Sequence, residues 1–359
     1  MKEPVGVLHL VNQFTADGAV GQLLARLRGH PEGFRPVVAC LQKAGPFLDA
    51  VQLPVEEFRL RGASAPGVVL QLAAFMERES VRLIHANDYY ANLLAVPAAT
   101  LVRAKVICSR LDLRHWAFGA QRAAEALALR GADAVMVNAQ FVREKCVRED
   151  GLSASKVYVV HNGVDVAAFG KPIAPERPTV AVIANLDAAK GHLDLIEAAS
   201  RLRDVQFLCA GEGPMRPVLE QQIAFHGLRE NFVLLGHRTD VPAVLARAHV
   251  ACAPSHEEGL SSAIVEAMAA SLPVVATEVG GTLELVREGE TGLLVPPRNP
   301  RALADRLQEL LRDPARAIKL GAAGRKRVEA EFSLPALSKR LGDLYRSVLA
   351  NHEPRRAAA

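Results

Sequence analysis

Residues 168–185 read AFGKPIAPERPTVAVIAN, and this stretch decides the fold predicted for the chain. Its first part, 168–178, holds three prolines and a glycine among polar residues, a composition typical of a linker. An apolar, β-branched run starts at Thr179, and the pattern of the first 167 residues begins again there. The sequence therefore predicts two domains built on one plan.

Short apolar runs recur on both sides of this linker, with amphipathic segments between them. Their near-continuous apolarity indicates parallel strands covered on both faces, and the alternation with helices predicts doubly wound α/β domains. The predicted strands are 5–11, 36–41, 82–86, 105–109, 134–138 and 156–161 before the linker, and 179–185, 205–211, 232–236, 250–254, 273–277 and 291–295 after it. The predicted domains are 1–167 and 179–333, and a final helix over 334–351 is expected to return to the first domain.

The composition excludes several classes of protein. The 359 residues are 50% apolar and 23% charged, which is typical of a globular chain and not of a disordered one. No run approaches the ~20 apolar residues of a membrane-spanning helix, and the first residues do not resemble a signal peptide, so we expect a cytoplasmic protein. The five cysteines include no CxxC pair, which argues against a zinc site or a disulfide framework.

The net charge is small, at +4 from 43 basic and 39 acidic residues. No basic run or aromatic-studded basic stripe is present, so nucleic acid is not an expected partner. The positive excess falls mainly in the first half, which is compatible with peripheral contact with an anionic membrane surface.

The densest motif is APSHEEGLSSAIVEAMAASLPVVATEVGG, residues 253–281. We expect a strand to end near Pro254 and a helix to run from about Leu260 to Ala270. The free backbone amides at such a helix start form an anion site. Two glutamates flank this start, Glu258 before it and Glu266 within the helix.

Both glutamates also have structural interpretations. Ser255-x-x-Glu258 has the spacing of a capping box, although Gly259 just inside the predicted helix disfavours it. Glu266 lies among apolar residues, where a carboxylate is costly to bury unless it is paired. Either the vicinal hydroxyls of a ribose or a local arginine would satisfy it.

This motif resembles the nucleotide-sugar glycosyltransferases of family 4, also called glycosyl transferases group 1. These enzymes retain the anomeric configuration and have the GT-B fold, two Rossmann-like domains facing a central cleft. The resemblance covers nearly the whole chain, in the expected order. Its other motifs are HNGVD (161–165), AGEGPMR (210–216), LLGHRTDVPAVLARA (234–248) and TGLLVPP (291–297).

The resemblance implies roles for residues of the second domain. Glu266 matches the glutamate that holds the ribose hydroxyls, and Glu258 matches the one that contacts the transferred sugar. Lys190 matches a phosphate-binding lysine, although a solvated lysine at a helix start is the structural alternative. The further donor-binding candidates are Arg238, Gly259, Leu260, Ser261 and Ser262.

Asn185 departs from the family pattern, because an arginine usually stands at this position. A neutral amide supplies no charge to a leaving diphosphate, whereas a guanidinium binds it in a bidentate manner. Arg238, on the loop after the strand at 232–236, is the candidate that would compensate or lie near the nucleobase. Gly211 and Gly213 fit the glycine–proline loop of the family better than a dinucleotide fingerprint, which needs a third glycine.

The first domain carries weaker candidates. Gly18 matches one glycine of a family loop that faces the donor phosphates, but an ordinary helix start capped by Asp17 explains it equally well. His85 is either a cleft-edge residue or a core histidine. It is grouped with Asp88, Arg110, Arg114 and His115 as a set that binds the acceptor or forms a solvated loop.

The activity implied is transfer of a sugar from a UDP- or GDP-sugar to a hydroxyl of a carbohydrate or glycolipid acceptor, with retention. Bacterial surface polysaccharide, lipopolysaccharide or glycolipid synthesis is the expected setting. No D-x-D carboxylate pair is present, so no metal or other cofactor is expected. Two alternatives stay open: a non-catalytic GT-B relative that binds nucleotide or acts as a scaffold, and a GT-B sugar-nucleotide epimerase.

Overall fold

The computed structural model describes residues 3–14, 18–42, 45, 48–60, 65–113, 119–170 and 176–350. Backbone contacts divide the chain into two compact units. Unit 1 consists of residues 1–163 together with the segment that begins at Leu334, and unit 2 consists of Val164–Ser333. Residues 171–175 of the predicted linker lie outside the described residues.

Unit 1 is a parallel sheet with helices between its strands. In the described part of the chain its strands are β1 (Val5–Val11), β2 (Phe34–Cys40), β3 (Val55–Glu57), β4 (Val81–Ala86), β5 (Lys105–Arg110), β6 (Ala134–Val137) and β7 (Val157–Val159). Its helices are α1 (Gly18–Arg28), α2 (Ala65–Arg78), α3 (Tyr89–Val102), α4 (Ala120–Gly131) and α5 (Gln140–Arg148).

Unit 2 repeats the plan. Its described strands are β8 (Thr179–Ile183), β9 (Gln206–Ala210), β10 (Phe232–Gly236), β11 (Val250–Ala253), β12 (Val274–Thr277) and β13 (Gly292–Val295). Its helices are α6 (His192–Ala199), α7 (Arg216–Phe225), α8 (Val241–Leu245), α9 (Ser262–Ala269), α10 (Thr282–Leu285), α11 (Pro300–Arg312) and α12 (Pro314–Glu331).

Both sheets have the doubly wound order. The strands of unit 1 run β3-β2-β1-β4-β5-β6-β7 and those of unit 2 run β10-β9-β8-β11-β12-β13, with every pairing between these strands parallel. The predicted fold class is therefore confirmed. The order reverses between β1 and β4 and between β8 and β11, and ligands of such sheets bind beyond the carboxyl ends of the strands at these reversals.

The last helix, α13 (Leu334–Ala350), belongs to unit 1. Its apolar face lies in the core beside strand residues such as Val7 and Leu83. The predicted return of the C-terminal helix to the first domain is thus confirmed. The helix residues in this core are Leu337, Leu341, Leu344, Tyr345 and Val348.

The five cysteines are buried and form no disulfide, in agreement with their interpretation as small core residues. In the part of the chain that the structure describes, no helix is both long and apolar enough to span a membrane.

A cluster of buried histidines stands between the sheet of unit 1 and α13. The rings of His9 and His85 have centroids 5.5 Å apart, and His85 Nδ1 lies 2.8 Å from the hydroxyl of Tyr345. The His30 ring packs 5.3 Å from His9, and the guanidinium of Arg26 is almost fully buried nearby. Burial lowers the pKa of His9 and His85 well below its ordinary value, and lowers that of His30 to about 4.

These shifts predict that unit 1 loses stability in mild acid. A histidine that is neutral in the fold and has a depressed pKa stabilises fully above its unfolded pKa, about 6.5, and loses that contribution as the pH falls below it. For His30, with a folded pKa of about 4, this loss is about 2 kcal/mol of unfolding free energy between pH 7 and pH 5, and His9 and His85 act in the same direction. We expect His9→Leu to make the loss of stability between these pH values smaller, measured by hydrogen exchange of the β1 amides. The exposed His237 gives the matched control, and a His9→Leu profile as steep as that of His237→Leu would contradict the account.

Candidate active site

The candidate site lies at the carboxyl edge of the unit 2 sheet, where the strand order reverses. The loop after β8 carries Asn185 and Lys190, and the loop after β11 carries Glu258. Because β8 and β11 are neighbours in the sheet, these two loops begin side by side. Glu266 follows on α9, the helix that leads away from the second loop.

The two loops are in direct backbone contact. Gly191 has φ +68°, and a Cβ at this position would lie 1.9 Å from the carbonyl oxygen of Pro254. The backbone N–H of His256 donates to the carbonyl of Ala189 over 2.7 Å. Only glycine permits both the left-handed backbone and the close approach, so the identity of Gly191 fixes how the loops meet.

This contact brings Lys190 and Glu258 together. Lys190 Nζ donates to Glu258 Oε2 over 2.7 Å, and Ser255 Oγ donates to the same oxygen over 3.1 Å. The side chain of Glu258 is 12% exposed and that of Lys190 is 26% exposed, so both remain reachable from solvent. The hydroxyl of Thr277, the last residue of β12, donates to the carbonyl of Ser255 and ties the end of a third strand to the loop of Glu258.

The capping-box interpretation of Glu258 is wrong, and so is the predicted helix start at Leu260. The helix begins at Ser262, and its N-cap is Ser261, whose hydroxyl accepts from the N–H of Ile264. Ser255 instead donates its hydroxyl to Glu258. The cap displaces the start because Ser261 has an extended backbone, with φ −76° and ψ 108°.

Glu266 is the most unusual carboxylate of unit 2. Protein surrounds it on most sides, yet part of its surface is accessible, which places it in a recess. Burial raises its pKa to about 7. Among the described residues no arginine or lysine pairs with it and no donor reaches its carboxyl group, so the structural alternative of a local ion pair is wrong.

Asn185 is exposed, and its side chain makes no hydrogen bond within the described residues. The loop around it is held by the glycine–proline loop after β9. Gly211 approaches so closely that a Cβ there would lie 1.9 Å from the carbonyl of Ala184. The N–H of Leu186 donates to Glu212 O over 2.9 Å, and Met215 returns a bond to Leu186 O. This glycine loop therefore supports the loop of Asn185.

Arg238 is engaged with a neighbour. Its guanidinium donates to both carboxylate oxygens of Asp240, over 2.7 and 2.6 Å. This hydrogen bonding raises the pKa of Arg238 and lowers that of Asp240. Both side chains are exposed, and a pair of this kind contributes little to stability, so its role toward a ligand stays a prediction.

The candidates of unit 1 have structural partners. His85 is fully buried, with its Nε2 2.9 Å from Ser109 Oγ, so it is a core histidine and does not stand at an accessible edge. Asp88 caps α3 by accepting from the N–H of Ala91. Arg110 is 3% exposed and pairs with Asp150. These three residues therefore do not form an accessible acceptor-binding group.

The structure says little about the remaining candidates of unit 1, which are Gly18, Arg114 and His115. Gly18 is the first residue of α1, which agrees with its interpretation as an ordinary helix start. Asp17, the expected cap of this helix, lies outside the described residues. Arg114 and His115 also lie outside them. The described residues contain no group of three or more histidine, cysteine, aspartate or glutamate side chains placed to hold a metal ion.

Sequence reasoning missed two pairs. One is the contact of Lys190 with Glu258, and the other is His256 Nε2 donating to Asp194 Oδ2 over 2.8 Å. The signal was present in the strand pattern, because the doubly wound order places the first and fourth strands of a unit side by side and so brings their following loops together.

Comparison with known proteins agrees with this architecture. Residues 177–313 match the family model described as Glycosyl transferases group 1, and residues 19–168 match Glycosyltransferase Family 4. α-Maltose-1-phosphate synthase of Mycolicibacterium smegmatis is 31% identical over 337 residues, which are 81% of this chain and 86% of that protein. α-D-Kanosaminyltransferase of Streptomyces kanamyceticus is 31% identical over 63% of each chain, less than two thirds of its length.

Solved structures show the same fold. Anabaena HepE in complex with UDP and glucose superposes with a TM-score of 0.86 at 21% identity, covering 95% of this chain and 99% of the other. Sucrose-phosphate synthase from Thermosynechococcus elongatus gives 0.83 at 21% identity, over 97% and 100%. The fold and its relatives define a glycosyltransferase of the GT-B type. The chain belongs to glycosyltransferase family 4.

Because burial raises the pKa of Glu266, we expect Glu266→Gln to stabilise the unliganded protein. An acid whose folded pKa is raised stabilises below its unfolded pKa, 4.5, and loses that contribution as the pH rises toward 7. At pH 8 the wild-type carboxylate costs on the order of 2–3 kcal/mol, and the neutral amide avoids this cost. Urea unfolding should therefore show a gain at pH 8 that shrinks below about 1 kcal/mol at pH 5. Equal effects at the two pH values would contradict the burial of an unpaired carboxylate.

Proposed function

We propose that this protein transfers a sugar from a nucleotide-diphosphate sugar to an acceptor hydroxyl with retention of configuration, and that unit 2 binds the donor. One observation carries the proposal. Glu266 is a recessed carboxylate that no donor of the described residues reaches, on the helix that follows the loop of the Lys190–Glu258 pair at the strand-order reversal. A site that leaves such a group unsatisfied is suited to a ligand that brings hydrogen-bond donors.

The donor can be assigned group by group. The vicinal hydroxyls of the ribose supply two donors to the Glu266 carboxylate. The diphosphate takes Lys190 as its cation and the start of α9 as its source of backbone amides, where Ser261 and Ser262 add hydroxyls. Glu258 contacts hydroxyls of the transferred sugar. Gly259 and Leu260 join that glutamate to the helix start and hold the spacing.

Because Asn185 is neutral, this site has one positive charge fewer than a site with the arginine usual at this position. Asn185 is exposed, and its side chain has no hydrogen-bond partner among the described residues, so its amide is free of them to donate to a phosphate oxygen. The amide adds no positive charge, which leaves Lys190 as the cation that the residues of these two loops offer. When the donor binds, the diphosphate competes with Glu258 for Lys190, and Glu258 is then released toward the sugar.

The chemistry follows from these assignments. The bond between the anomeric carbon and the leaving phosphate oxygen breaks while the acceptor oxygen attacks on the same face. The acceptor proton passes to an oxygen of the leaving diphosphate, so no protein nucleophile takes part. Lys190 and the amides at the start of α9 stabilise the charge that develops on the diphosphate. We propose that no metal ion is needed for this step.

The relatives suggest the class of donor. Solved structures of Anabaena HepE contain UDP or UDP-glucose, and a related mycobacterial mannosyltransferase, 31% identical over 240 residues, is GDP-mannose-dependent. We therefore propose a UDP- or GDP-sugar donor and a carbohydrate or glycolipid acceptor in surface polysaccharide, lipopolysaccharide or glycolipid synthesis. The positive excess of the first half supports cytoplasmic work at a membrane surface.

A donor panel tests the proposal. The purified protein is incubated with UDP-, GDP- and ADP-sugars, and release of the nucleoside diphosphate is measured with and without glycan and glycolipid acceptors. We expect turnover of at least one donor, and loss of detectable nucleotide binding in Glu266→Ala because the ribose loses its acceptor. Glu197→Ala, an exposed glutamate on α6, is the control and should behave as wild type.

Two outcomes separate the alternatives. Binding of a nucleotide without hydrolysis or transfer of any sugar would support a non-catalytic, nucleotide-binding protein and refute the proposed transferase activity. Conversion of a donor into its epimer without transfer would show the epimerase. Absence of binding by calorimetry would refute the assigned site itself.

A further inference from the structure

A second hydrogen-bonded pair of side chains lies on the two loops of the candidate site, and within the described residues it shares no hydrogen bond with Lys190 or Glu258. His256 Nε2 donates to Asp194 Oδ2 over 2.8 Å. The two side chains are 17% and 21% exposed, so water competes for this hydrogen bond less than it does at a fully exposed site. His256 stands two residues before Glu258, and Asp194 stands four residues after Lys190.

The pair joins the two loops at a point where their backbones already meet. The N–H of His256 donates to Ala189 O, and the Cδ2 atom of its ring lies 3.4 Å from the position that a Cβ on Gly191 would take. Asp194 belongs to the first turn of α6, a regular helix that packs against α11 in the core of unit 2. The loop after β11 is thereby anchored to a rigid element of the fold.

This anchor acts on the position of Glu258. The segment from His256 to Ser261 has no regular structure, and it carries Glu258 between His256 and the N-cap of α9. Its other ties to the rest of unit 2 include the bond of Lys190 to the Glu258 carboxylate over 2.7 Å and the N–H of Gly281 donating to Glu258 O over 3.2 Å. The side-chain bond to Asp194 holds the end of the segment nearest to Lys190.

We propose that the His256–Asp194 pair is a positioning device that sets the separation of Lys190 and Glu258 for catalysis. The inference deepens the proposed function and rests on it, because these two charges are assigned there to the diphosphate and the transferred sugar. Displacement of a catalytic group by about 1 Å can cost up to a hundred-fold in rate. The pair affects turnover through the position of Glu258, and it leaves Glu266 and the start of α9 in place.

The test uses His256→Ala, Asp194→Ala and the double variant in the full-length protein. The substrate is a donor that the wild type turns over in the panel of UDP-, GDP- and ADP-sugars. We expect kcat to fall by roughly ten-fold in each single variant. The double variant should fall by the same factor, because either change removes the same bond. The dissociation constant of the free nucleoside diphosphate should stay within about two-fold of wild type, since its ribose is held by Glu266.

Two further variants give rescue and control. His256→Gln keeps a side-chain N–H that can reach Asp194, so it should recover most of the lost kcat. Glu197→Ala changes an exposed glutamate of the same helix as Asp194 and should leave kcat unchanged. An unchanged kcat in the alanine variants, losses that multiply in the double variant, or a parallel rise in the dissociation constant would each overturn the proposal.

Hydrogen exchange of residues 254–261 keeps the proposal testable if no sugar is transferred by the wild type. That result would refute the proposed function. The pair should still slow exchange in this segment, so His256→Ala and Asp194→Ala should exchange faster than Glu197→Ala. Equal exchange in the three variants would show that the pair does not hold the loop.

Discussion

The close approach of two backbones after β8 and β11 is the constraint on which the rest of the site depends. Gly191 lies against the carbonyl of Pro254, where any side chain would collide with it. The contact lies at the reversal of strand order, where doubly wound sheets bind their ligands. It therefore brings charged side chains of two loops together at that place. Lys190, Glu258 and His256 all take their positions from this contact.

The strand-order reversal of unit 1, between β1 and β4, carries a different set of polar residues. Asn87, which directly follows β4, donates its amide to Leu10 O and His85 O and accepts from the guanidinium of Arg26. Asp88 then caps α3. The side chains of Asn87 and Asp88 bond to backbone groups and to Arg26, whereas no donor of the described residues reaches the carboxylate of Glu266 in unit 2. A desolvated carboxylate of this kind at a sheet edge is a candidate for contact with a ligand.

Much of the fold was predictable from the sequence, because periodicity and linker composition are local signals. The strands at 5–11 and 232–236 have the predicted bounds. β3 was missed because it is a three-residue edge strand, VEE, without an apolar run. The start of α9 was placed two residues early, because the sequence offered several small polar residues and the cap was decided by the backbone of Ser261.

The site was predictable only in part. The family resemblance singled out Glu258, Glu266 and Lys190 as site residues. The structure places Lys190 on the loop after β8, Glu258 on the loop after β11 and Glu266 on α9, and their roles stay predictions. The environment of His85 could not be predicted, because its partner Tyr345 is 260 residues away in the sequence. Arg110 looked like a ligand contact for the same reason, since its partner Asp150 lies 40 residues further on.

The central claim is that Glu266 is an unsatisfied carboxylate that receives the ribose of a nucleotide. Calorimetric titration with UDP between pH 6 and pH 8, in wild type and in Glu266→Gln, tests it directly. With a pKa of about 7, the carboxylate is largely protonated at pH 6 and ionised at pH 8. The ratio of wild-type to variant affinity should therefore rise roughly ten-fold from pH 6 to pH 8, after protonation of UDP cancels between the two proteins. A ratio that stays constant over this range would contradict the claim.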